Sequence, residues 1–240
     1  MLESLRAGRE IERLIMVDDL ELGSQLREII FLAEDAGIRV DAVSRRDLEG
    51  QSQTKKHQGV IAVVPDPRYH NPEDFIAAAD SKGETPLIVM LDGVQDPHNL
   101  GAIARTVDAA GAHGLIIPER RAVGITPGAV RASAGALEHV KVARVVNLNR
   151  TIENLKQAGV LVVGLDADGD VDYTQADLTG PVVIVVGSEG KGLSRLVREN
   201  CDQIASIPMA GKLSSLNASV SAGIVLYEAF RQRREKALAR

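Results

Sequence analysis

The sequence predicts an α/β protein with a small N-terminal domain and a larger C-terminal domain. Short continuous apolar runs alternate with stretches in which apolar residues recur every three or four positions, which is typical of parallel strands covered by amphipathic helices. A proline-rich stretch at 65–86 interrupts this alternation. The charge also changes near it: residues 1–80 hold 10 basic and 16 acidic residues, whereas residues 81–240 hold 18 and 17. These observations place a domain boundary at the proline-rich stretch.

The first domain is predicted to span residues 1–65. Three short apolar runs are predicted as its strands: 14–17, 40–43 and 60–64. Between the first two strands, apolar residues spaced 4, 3, 1 and 3 apart over 22–33 indicate one face of an amphipathic helix. The proline-rich residues 66–85 are interpreted as a linker that carries one short helix at 73–82.

The second domain is predicted to span residues 86–240. Four continuous apolar runs are predicted as its strands: 87–91, 115–117, 160–165 and 182–186. Because these runs are apolar on both faces, we expect a mostly parallel sheet with helices on both sides. Helices are predicted between and after the strands: 99–110, 127–136, 152–158, 194–200 and a last helix from 217 onward.

The composition excludes several classes of protein. A net charge of −5 with 45% hydrophobic residues is typical of a globular protein rather than a disordered or histone-like chain. The chain has no run of 18 apolar residues and no signal-peptide pattern, so we expect a cytoplasmic protein that does not bind a membrane. A single cysteine, Cys201, excludes an internal disulfide and a cysteine-based zinc site, and no metal site is predicted. Aromatic residues make up only 2%, which excludes an RNA-binding surface built on base stacking.

The stretch 91–117 begins at the C-terminal end of a predicted strand, where open α/β sheets place ligands. Asn99 can cap the helix that follows, and the first turn of that helix can offer backbone N–H groups to a phosphate. Gly101 permits close approach, and Arg105 lies six residues beyond Asn99. A capped helix with an arginine in a surface ion pair explains the same residues without any function.

The stretch 185–209 places three glycines in a strand-to-helix loop: Gly187, Gly190 and Gly192. Their spacing matches neither a Walker motif nor the dinucleotide-binding fingerprint, so a plain turn remains an alternative. Glu189 in this loop is less ordinary, because its carboxylate can anchor the hydrogen-bond donors of a substrate.

The stretch 207–233 contains a loop of small residues followed by a helix. Ser214, Ser215 and Asn217 precede the helix, and ordinary capping explains any one of them. The small residues at 218–223 form a helix face that can approach another helix closely, either within the chain or in a dimer.

In this order and at this spacing, the three stretches resemble the signature motifs of the SpoU/TrmH family (SPOUT class) of S-adenosylmethionine-dependent RNA ribose 2′-O-methyltransferases. The resemblance covers residues 86–234. The matching residues are Asp96, Pro97, Asn99, Gly101 and Arg105, then Gly187, Glu189 and Gly192, then Ile207, Pro208, Met209, Gly211, Ser215, Leu216, Asn217 and Ser219. The segment 55–60 resembles the end of the L30e-like domain found in the family's RlmB-like branch, which methylates guanosine in 23S ribosomal RNA.

The resemblance implies a deep C-terminal trefoil knot in the α/β domain and a small L30e-like domain that binds the RNA substrate. It implies that S-adenosylmethionine binds at four residues: Gly187, Ile207, Met209 and Leu216. It assigns the methyl transfer to five others: Asn99, Arg105, Glu189, Ser215 and Asn217. Because a guanidinium stays protonated in proteins, we expect Arg105 to orient the phosphate beside the target ribose rather than to act as the base.

The resemblance also implies a homodimer with the active site near the subunit interface. Basic residues near Arg105 and in the first domain are expected to contact the RNA: Lys55, Lys56, His57 and Arg131, with Arg120 and Arg121 as further candidates. Each of them alone is also explained as an ordinary solvated residue.

The main interpretation is methylation of a guanosine ribose in 23S ribosomal RNA. One alternative keeps the chemistry but places it on transfer RNA, and another is a non-catalytic RNA-binding factor in ribosome assembly. The intact motif residues favour catalysis, and the L30e-like domain favours ribosomal RNA. The chain lacks the Gly-x-Asn-Ala-Val opening that is usual in the ribosomal-RNA branch, so the substrate is less defined than the chemistry.

Overall fold

The computed structural model describes residues 2–6, 11–18, 23–52 and 57–239. The chain divides into two compact units, Met1–Pro67 and Arg68–Arg240. Two of the predicted RNA-binding residues, Lys55 and Lys56, lie outside the described residues. Among the helices that are described, none combines the length and the apolar character needed to cross a membrane.

The smaller unit is built around a three-stranded sheet in the order β2-β1-β3. Its strands are β1 (Arg13–Val17), β2 (Arg39–Val43) and β3 (Val60–Val63). Strand β1 pairs in parallel with β2 and antiparallel with β3. Its helices are α1 (Leu2–Arg6), α2 (Ser24–Asp35) and α3 (Arg45–Gln51).

Side chains of β1 point alternately to the two faces of this sheet. Leu14 clusters with Ala33 of α2 on one face, whereas Ile15 and Val17 cluster with Leu48 of α3 on the other. The three predicted strands are confirmed, and the predicted helix matches α2 except for its first positions, which lie partly outside the described residues. Helix α3 was not predicted, because Leu48 is the buried residue in an otherwise polar segment.

The larger unit contains a seven-stranded sheet in the order β6-β5-β4-β9-β7-β10-β8, and all neighbouring strands are parallel. The strands are β4 (Leu87–Asp92), β5 (Gly114–Pro118), β6 (Val142–Val145), β7 (Leu161–Leu165), β8 (Val171–Asp172), β9 (Val182–Gly187) and β10 (Gln203–Ser206). The helices are α4 (Glu73–Ser81), α5 (Pro97–Ala109), α6 (Pro127–Ala132), α7 (Leu148–Gln157), α8 (Arg195–Asn200) and α9 (Ala218–Leu238), with a 3-10 turn at Ala136–Glu138. The α/β class and the parallel sheet are thus confirmed, and the trefoil knot stays a prediction.

Two hydrophobic clusters cover the two faces of the large sheet. In β4, Leu87, Val89 and Leu91 belong to the cluster that includes residues of α5 and α9. Ile88 and Met90 of the same strand belong to the cluster that includes residues of α4, α7 and α8. Strands β4 and β9 are therefore buried on both sides, which explains their uninterrupted apolar sequences.

The residues interpreted as a linker belong in large part to the larger unit, which begins at Arg68. Phe75 of α4 is fully buried against the sheet, and a side chain at Gly114 of β5 would lie 2.5 Å from the Phe75 ring. His70 forms a parallel bridge with Ala143 of β6. The prolines bound the short helix α4 but do not separate it from the sheet.

A half-buried arginine near the end of α9, Arg233, ties this helix to the N-terminal edge of the sheet. The guanidinium of Arg233 donates to the carbonyls of Pro86 (2.9 Å), Leu178 (2.9 Å), Gly180 (2.7 Å) and Thr85. These carbonyls precede β4 and β9, the two central strands. Burial lowers the pKa of Arg233 to about 10, so its side chain remains charged at neutral pH.

Candidate active site

Loops meet at the C-terminal edge of the large sheet, because the strands that precede them, β4, β9, β7 and β10, are neighbours in this order. The loops after β7, β9 and β10 line a cleft of about 420 Å³, which we call the first cleft. The loops after β4 and β9 line an adjacent cleft of about 310 Å³, the second cleft. Both have the size of small-ligand sites and occupy the edge at which open parallel sheets bind ligands.

The glycine-rich loop after β9 is tight because its backbone folds onto itself. Ser188 and Gly192 exchange two backbone hydrogen bonds of 3.0 Å. A side chain at Gly187 would lie 2.3 Å from the backbone of Gly192, so only glycine fits there. Gly192 has a φ of +62°, and a side chain there would lie 2.8 Å from the Asp166 carboxylate. This geometry fixes Glu189 in the wall that the two clefts share.

The side chains of Asn99, Glu189 and Asn217 form a hydrogen-bonded cluster, although they come from three separate parts of the chain. Asn99 Nδ2 donates to Glu189 Oε1 at 2.8 Å. Asn217 Nδ2 donates to the same Glu189 oxygen and, at 3.0 Å, to Asn99 Oδ1. The three sequence motifs therefore meet in one site, which we call the amide–carboxylate cluster.

The orientation of Asn217 is set by the start of α9. Its Oδ1 caps the helix by accepting from the backbone N–H of Ser219 at 2.9 Å and of Val220 at 3.4 Å. Because the oxygen faces the helix, the amide nitrogen must face Glu189 and Asn99. The capping explanation is thus confirmed for Asn217, and the same side chain also completes the cluster.

The structure corrects the expectation that Asn99 caps α5. The cap is Asp96, whose carboxylate accepts from the N–H of His98 at 2.9 Å, and Pro97 occupies the first helical turn. Asn99 lies inside this turn and is 6% exposed, so its amide points into the cluster rather than toward the helix end. The close approach at Gly101 is made by helix α6, since a side chain there would lie 2.5 Å from Ala132.

The four residues expected to bind the cofactor all line the first cleft: Gly187, Ile207, Met209 and Leu216. Ser215 and Glu189 line it as well, whereas Asn99 lines the second cleft. Sequence reasoning named the loop after β7 only by its position and missed its two acidic residues, Asp166 and Asp168, which also line the first cleft. Their place directly after a predicted buried strand could have identified them.

The acidic loop after β7 is held in place by α8. Asp166 forms an ion pair with Arg198 at 3.0 Å, and the other oxygen of Asp166 accepts from the N–H of Asp168 at 3.3 Å. Arg198 also donates to the carbonyl of Asp168 at 3.2 Å. With Glu189, the first cleft thus carries three carboxylates and small residues, which suit the hydroxyls of a ribose and the positive charge of a sulfonium.

The remaining predicted residues lie apart from the cluster. Arg105 is exposed on α5 and makes no hydrogen bond or ion pair with the described residues, and Arg131 is exposed on α6. In the smaller unit, the Nδ1 atom of His57 accepts from the N–H of Gly59 at 3.1 Å, which stabilises the turn before β3. No group of three His, Cys, Asp or Glu side chains in the described part of the chain could hold a metal ion.

Known proteins share both units of this chain. Residues 86–227 match the family model of SpoU rRNA methylases, and residues 1–70 match that of RNA 2′-O ribose methyltransferase substrate-binding domains. A Bacillus subtilis protein of the TrmH tRNA/rRNA methyltransferase family, YacO, is 47% identical over 233 residues, covering 97% of this chain and 93% of that protein.

Solved structures agree with these matches. The SpoU methyltransferase AviRb of Streptomyces viridochromogenes, in complex with AdoMet, is 33% identical with a TM-score of 0.75 and covers 97% of this chain and 87% of its own. An AdoMet-bound rRNA methyltransferase of Sinorhizobium meliloti is 31% identical with a TM-score of 0.73. The match covers 96% of this chain and 83% of that protein. A TrmH/SpoU tRNA modifying enzyme of A. aeolicus is 36% identical with a TM-score of 0.60. The match covers 64% of this chain and 78% of that enzyme. The chain belongs to the SpoU/TrmH family of S-adenosylmethionine-dependent RNA methyltransferases.

Proposed function

We propose that this protein methylates a ribose 2′-OH in 23S ribosomal RNA, with guanosine as the target nucleotide. The observation that carries the proposal is the amide–carboxylate cluster, which lies where the first and second clefts share the wall that contains Glu189. S-adenosylmethionine in the first cleft would supply an electrophilic methyl group. The second cleft would hold the nucleotide, and the shared wall would bring its ribose next to that methyl group.

The cluster is suited to orient a weak nucleophile. Both amide nitrogens donate to Oε1 of Glu189, and no residue in the described ranges donates to its Oε2. A ribose 2′-OH can donate to Oε2, which turns a lone pair of the hydroxyl toward the methyl donor. Asn99 and Asn217 would hold the carboxylate in this direction, and Ser215 would contribute a hydroxyl from the lining of the first cleft.

Arg105 would act on the RNA backbone. Its exposed guanidinium is not engaged by the cluster, so it is available to bind the phosphate beside the target ribose. The guanidinium would orient this phosphate and would not take the proton that leaves the 2′-OH, because it stays protonated at neutral pH. That proton would pass to Oε2 of Glu189, the atom to which the hydroxyl donates. Arg105→Lys keeps the charge but loses the paired geometry, so we expect it to lose most of the activity.

A homodimer is supported by one face of α9. Val220, Tyr227 and Phe230 recur along this helix and are 48%, 52% and 41% exposed, and the two rings lie 6.1 Å apart. Exposed apolar side chains in a row are typical of an interface. Asn217 caps the start of this helix, so a subunit contact along it would lie close to the active site.

The choice of ribosomal RNA is supported by the extent of the structural matches. The rRNA methyltransferase of S. meliloti aligns with 96% of this chain, whereas the tRNA modifying enzyme of A. aeolicus aligns with 64%. The smaller unit, which matches substrate-binding domains, would therefore select the RNA. We also propose that the domain assigned to residues 1–65 has the L30e-like fold of the RlmB-like branch.

The test is transfer of tritium from labelled S-adenosylmethionine to unmodified 23S ribosomal RNA and, separately, to unmodified transfer RNA. We expect label in 23S ribosomal RNA at one 2′-O-methylated guanosine, and at least a hundredfold lower rate for Glu189→Gln and Arg105→Ala. Label found in transfer RNA alone would favour the tRNA alternative. Binding of both cofactor and RNA without any transfer would favour the assembly factor.

A further inference from the structure

The loop after β5, residues 119–126, lies beside the second cleft. Strand β5 neighbours β4, so the loops that follow the two strands are also neighbours. Two hydrogen bonds join them: the Val123 N–H donates to the Val94 carbonyl at 3.1 Å, and Gln95 Nε2 donates to the Arg121 carbonyl at 3.4 Å. Val94 and Gln95 line the second cleft, so the loop extends the wall of this cleft.

Contacts from outside the loop hold its backbone in one conformation. The Tyr69 hydroxyl accepts from the Ile125 N–H at 3.3 Å. The guanidinium of Arg144 lies over the Tyr69 ring, 5.6 Å from its centroid, and donates to the Glu119 carbonyl at 3.4 Å. Arg121 has a φ of +58°, a left-handed conformation that residues other than glycine rarely adopt and that concentrates at functional sites.

The loop presents positive charge in an acidic protein. Residues 119–126 hold two basic residues and one acidic residue, and the longer segment 119–144 holds five and two, although the whole chain has a net charge of −5. Arg120 and Arg121 are exposed, and neither guanidinium forms a hydrogen bond or ion pair within the described ranges. The one acidic side chain of the loop, Glu119, forms no ion pair within the described ranges, and Arg144 donates to its backbone carbonyl. Exposed guanidinium groups beside a nucleotide-sized cleft are suited to bind phosphate.

We propose that loop 119–126 is a phosphate-binding site for the RNA strand that carries the target nucleotide. Arg120 and Arg121 bind the phosphates beside the nucleotide in the second cleft. Tyr69 and Arg144 are positioning residues, because they hold the loop without reaching the RNA themselves. This inference rests on the proposed function, since it takes the second cleft as the nucleotide site.

The first test measures RNA binding by the full-length protein, separately from methyl transfer. Filter binding to an unmodified 23S ribosomal RNA transcript gives the Kd and its dependence on salt. We expect Arg120→Ala and Arg121→Ala each to raise this Kd about three- to tenfold and to lower the slope of log Kd against log salt by about 0.7 to 0.9, the contribution of one phosphate contact. Arg120→Lys should restore the slope, because it restores the charge.

The matched control is Arg150→Ala, which removes an exposed arginine from α7 on the opposite side of the sheet. It should leave the Kd and the salt slope at wild-type values, and all variants should keep wild-type affinity for S-adenosylmethionine. An unchanged Kd and slope in both loop variants would overturn the proposal even where methylation is confirmed. If the wild-type protein methylates no RNA, the proposed function fails while the binding measurement still tests the loop.

The positioning role is tested by Tyr69→Phe, which removes the hydroxyl that binds Ile125 but keeps the ring under Arg144. We expect about a threefold rise in the KM for RNA with kcat unchanged. In the background of Arg120→Ala and Arg121→Ala together, the same substitution should have no further effect, because its effect passes through the two arginines. An equal rise in the KM in both backgrounds would show that Tyr69 has a general structural role. It would overturn the assignment of Tyr69 as a positioning residue.

Discussion

Substitution of Asn217 can separate the stability of α9 from the chemistry of the site. The oxygen of Asn217 caps the helix, whereas its nitrogen bonds to Glu189 and Asn99. Serine and aspartate are good helix caps, so Asn217→Ser and Asn217→Asp keep the first role and lose the second. Asn217→Ala loses both roles. The three variants therefore differ in how stability and activity should change.

The expected magnitudes follow from these contacts. The bond to the neutral Asn99 contributes about 1 kcal/mol and the bond to the charged Glu189 about 1.5 kcal/mol, the low end of its range because the pair is exposed. Loss of both bonds in the transition state lowers kcat/KM about 70-fold for Asn217→Ser, since each ~1.36 kcal/mol is tenfold. Asn217→Asp adds repulsion between two carboxylates of about 1 kcal/mol and should be about fivefold slower again.

Thermal unfolding and methyl transfer are measured on the same preparations. The free energy of unfolding of Asn217→Ala should be about 1 kcal/mol lower than that of Asn217→Ser, because alanine cannot cap the helix. Activity should instead follow the order wild type, serine, aspartate. The reasoning is refuted if Asn217→Asp retains wild-type activity, or if activity falls only in the variant that is least stable.

Three further predictions concern the larger unit. Arg233→Met should lower the free energy of unfolding by about 3 to 5 kcal/mol in chemical denaturation, because four backbone carbonyls lose a charged donor, whereas the exposed neighbour in Arg234→Met should change it by less than about 0.5 kcal/mol. Burial raises the pKa of Cys201 to about 12, so the native thiol should resist a disulfide reagent at pH 8, and complete reaction within seconds would contradict this. The Arg231 guanidinium lowers the pKa of Glu228 below its ordinary 4.5, so Glu228 stabilises the folded state above about pH 4.5 and loses this effect as pH falls through its folded pKa. Glu228→Gln should lower the free energy of unfolding by about 1 kcal/mol at pH 7 and by progressively less as the pH falls below 4.5, and a cost that does not change with pH would exclude a role for the charge.

In the larger unit, the strands that the sequence predicts are those buried on both faces, because their apolar runs are unbroken. Strand β9 is an example, since all six of its residues are buried. Strands β6, β8 and β10 were missed for the opposite reason: β6 and β8 lie at the two edges of the sheet, and β10 contains polar residues at both ends. The position of β10 between β7 and β8 is a long-range feature, and no local pattern contains it.

As with the strands, part of the candidate site follows from local sequence patterns, and the rest depends on contacts between distant parts of the chain. Spacing alone identifies loops that end strands and begin helices, and it explains each of Asn99, Glu189 and Asn217 as an ordinary turn or cap. Their separations of 90, 118 and 28 residues carry no local signal that the three side chains bond to each other. Only the order β4-β9 in the sheet and the packing of α5 against α9 bring them together. The resemblance could name these residues in advance because family motifs record the outcome of folding, whereas propensity and periodicity describe only its local causes.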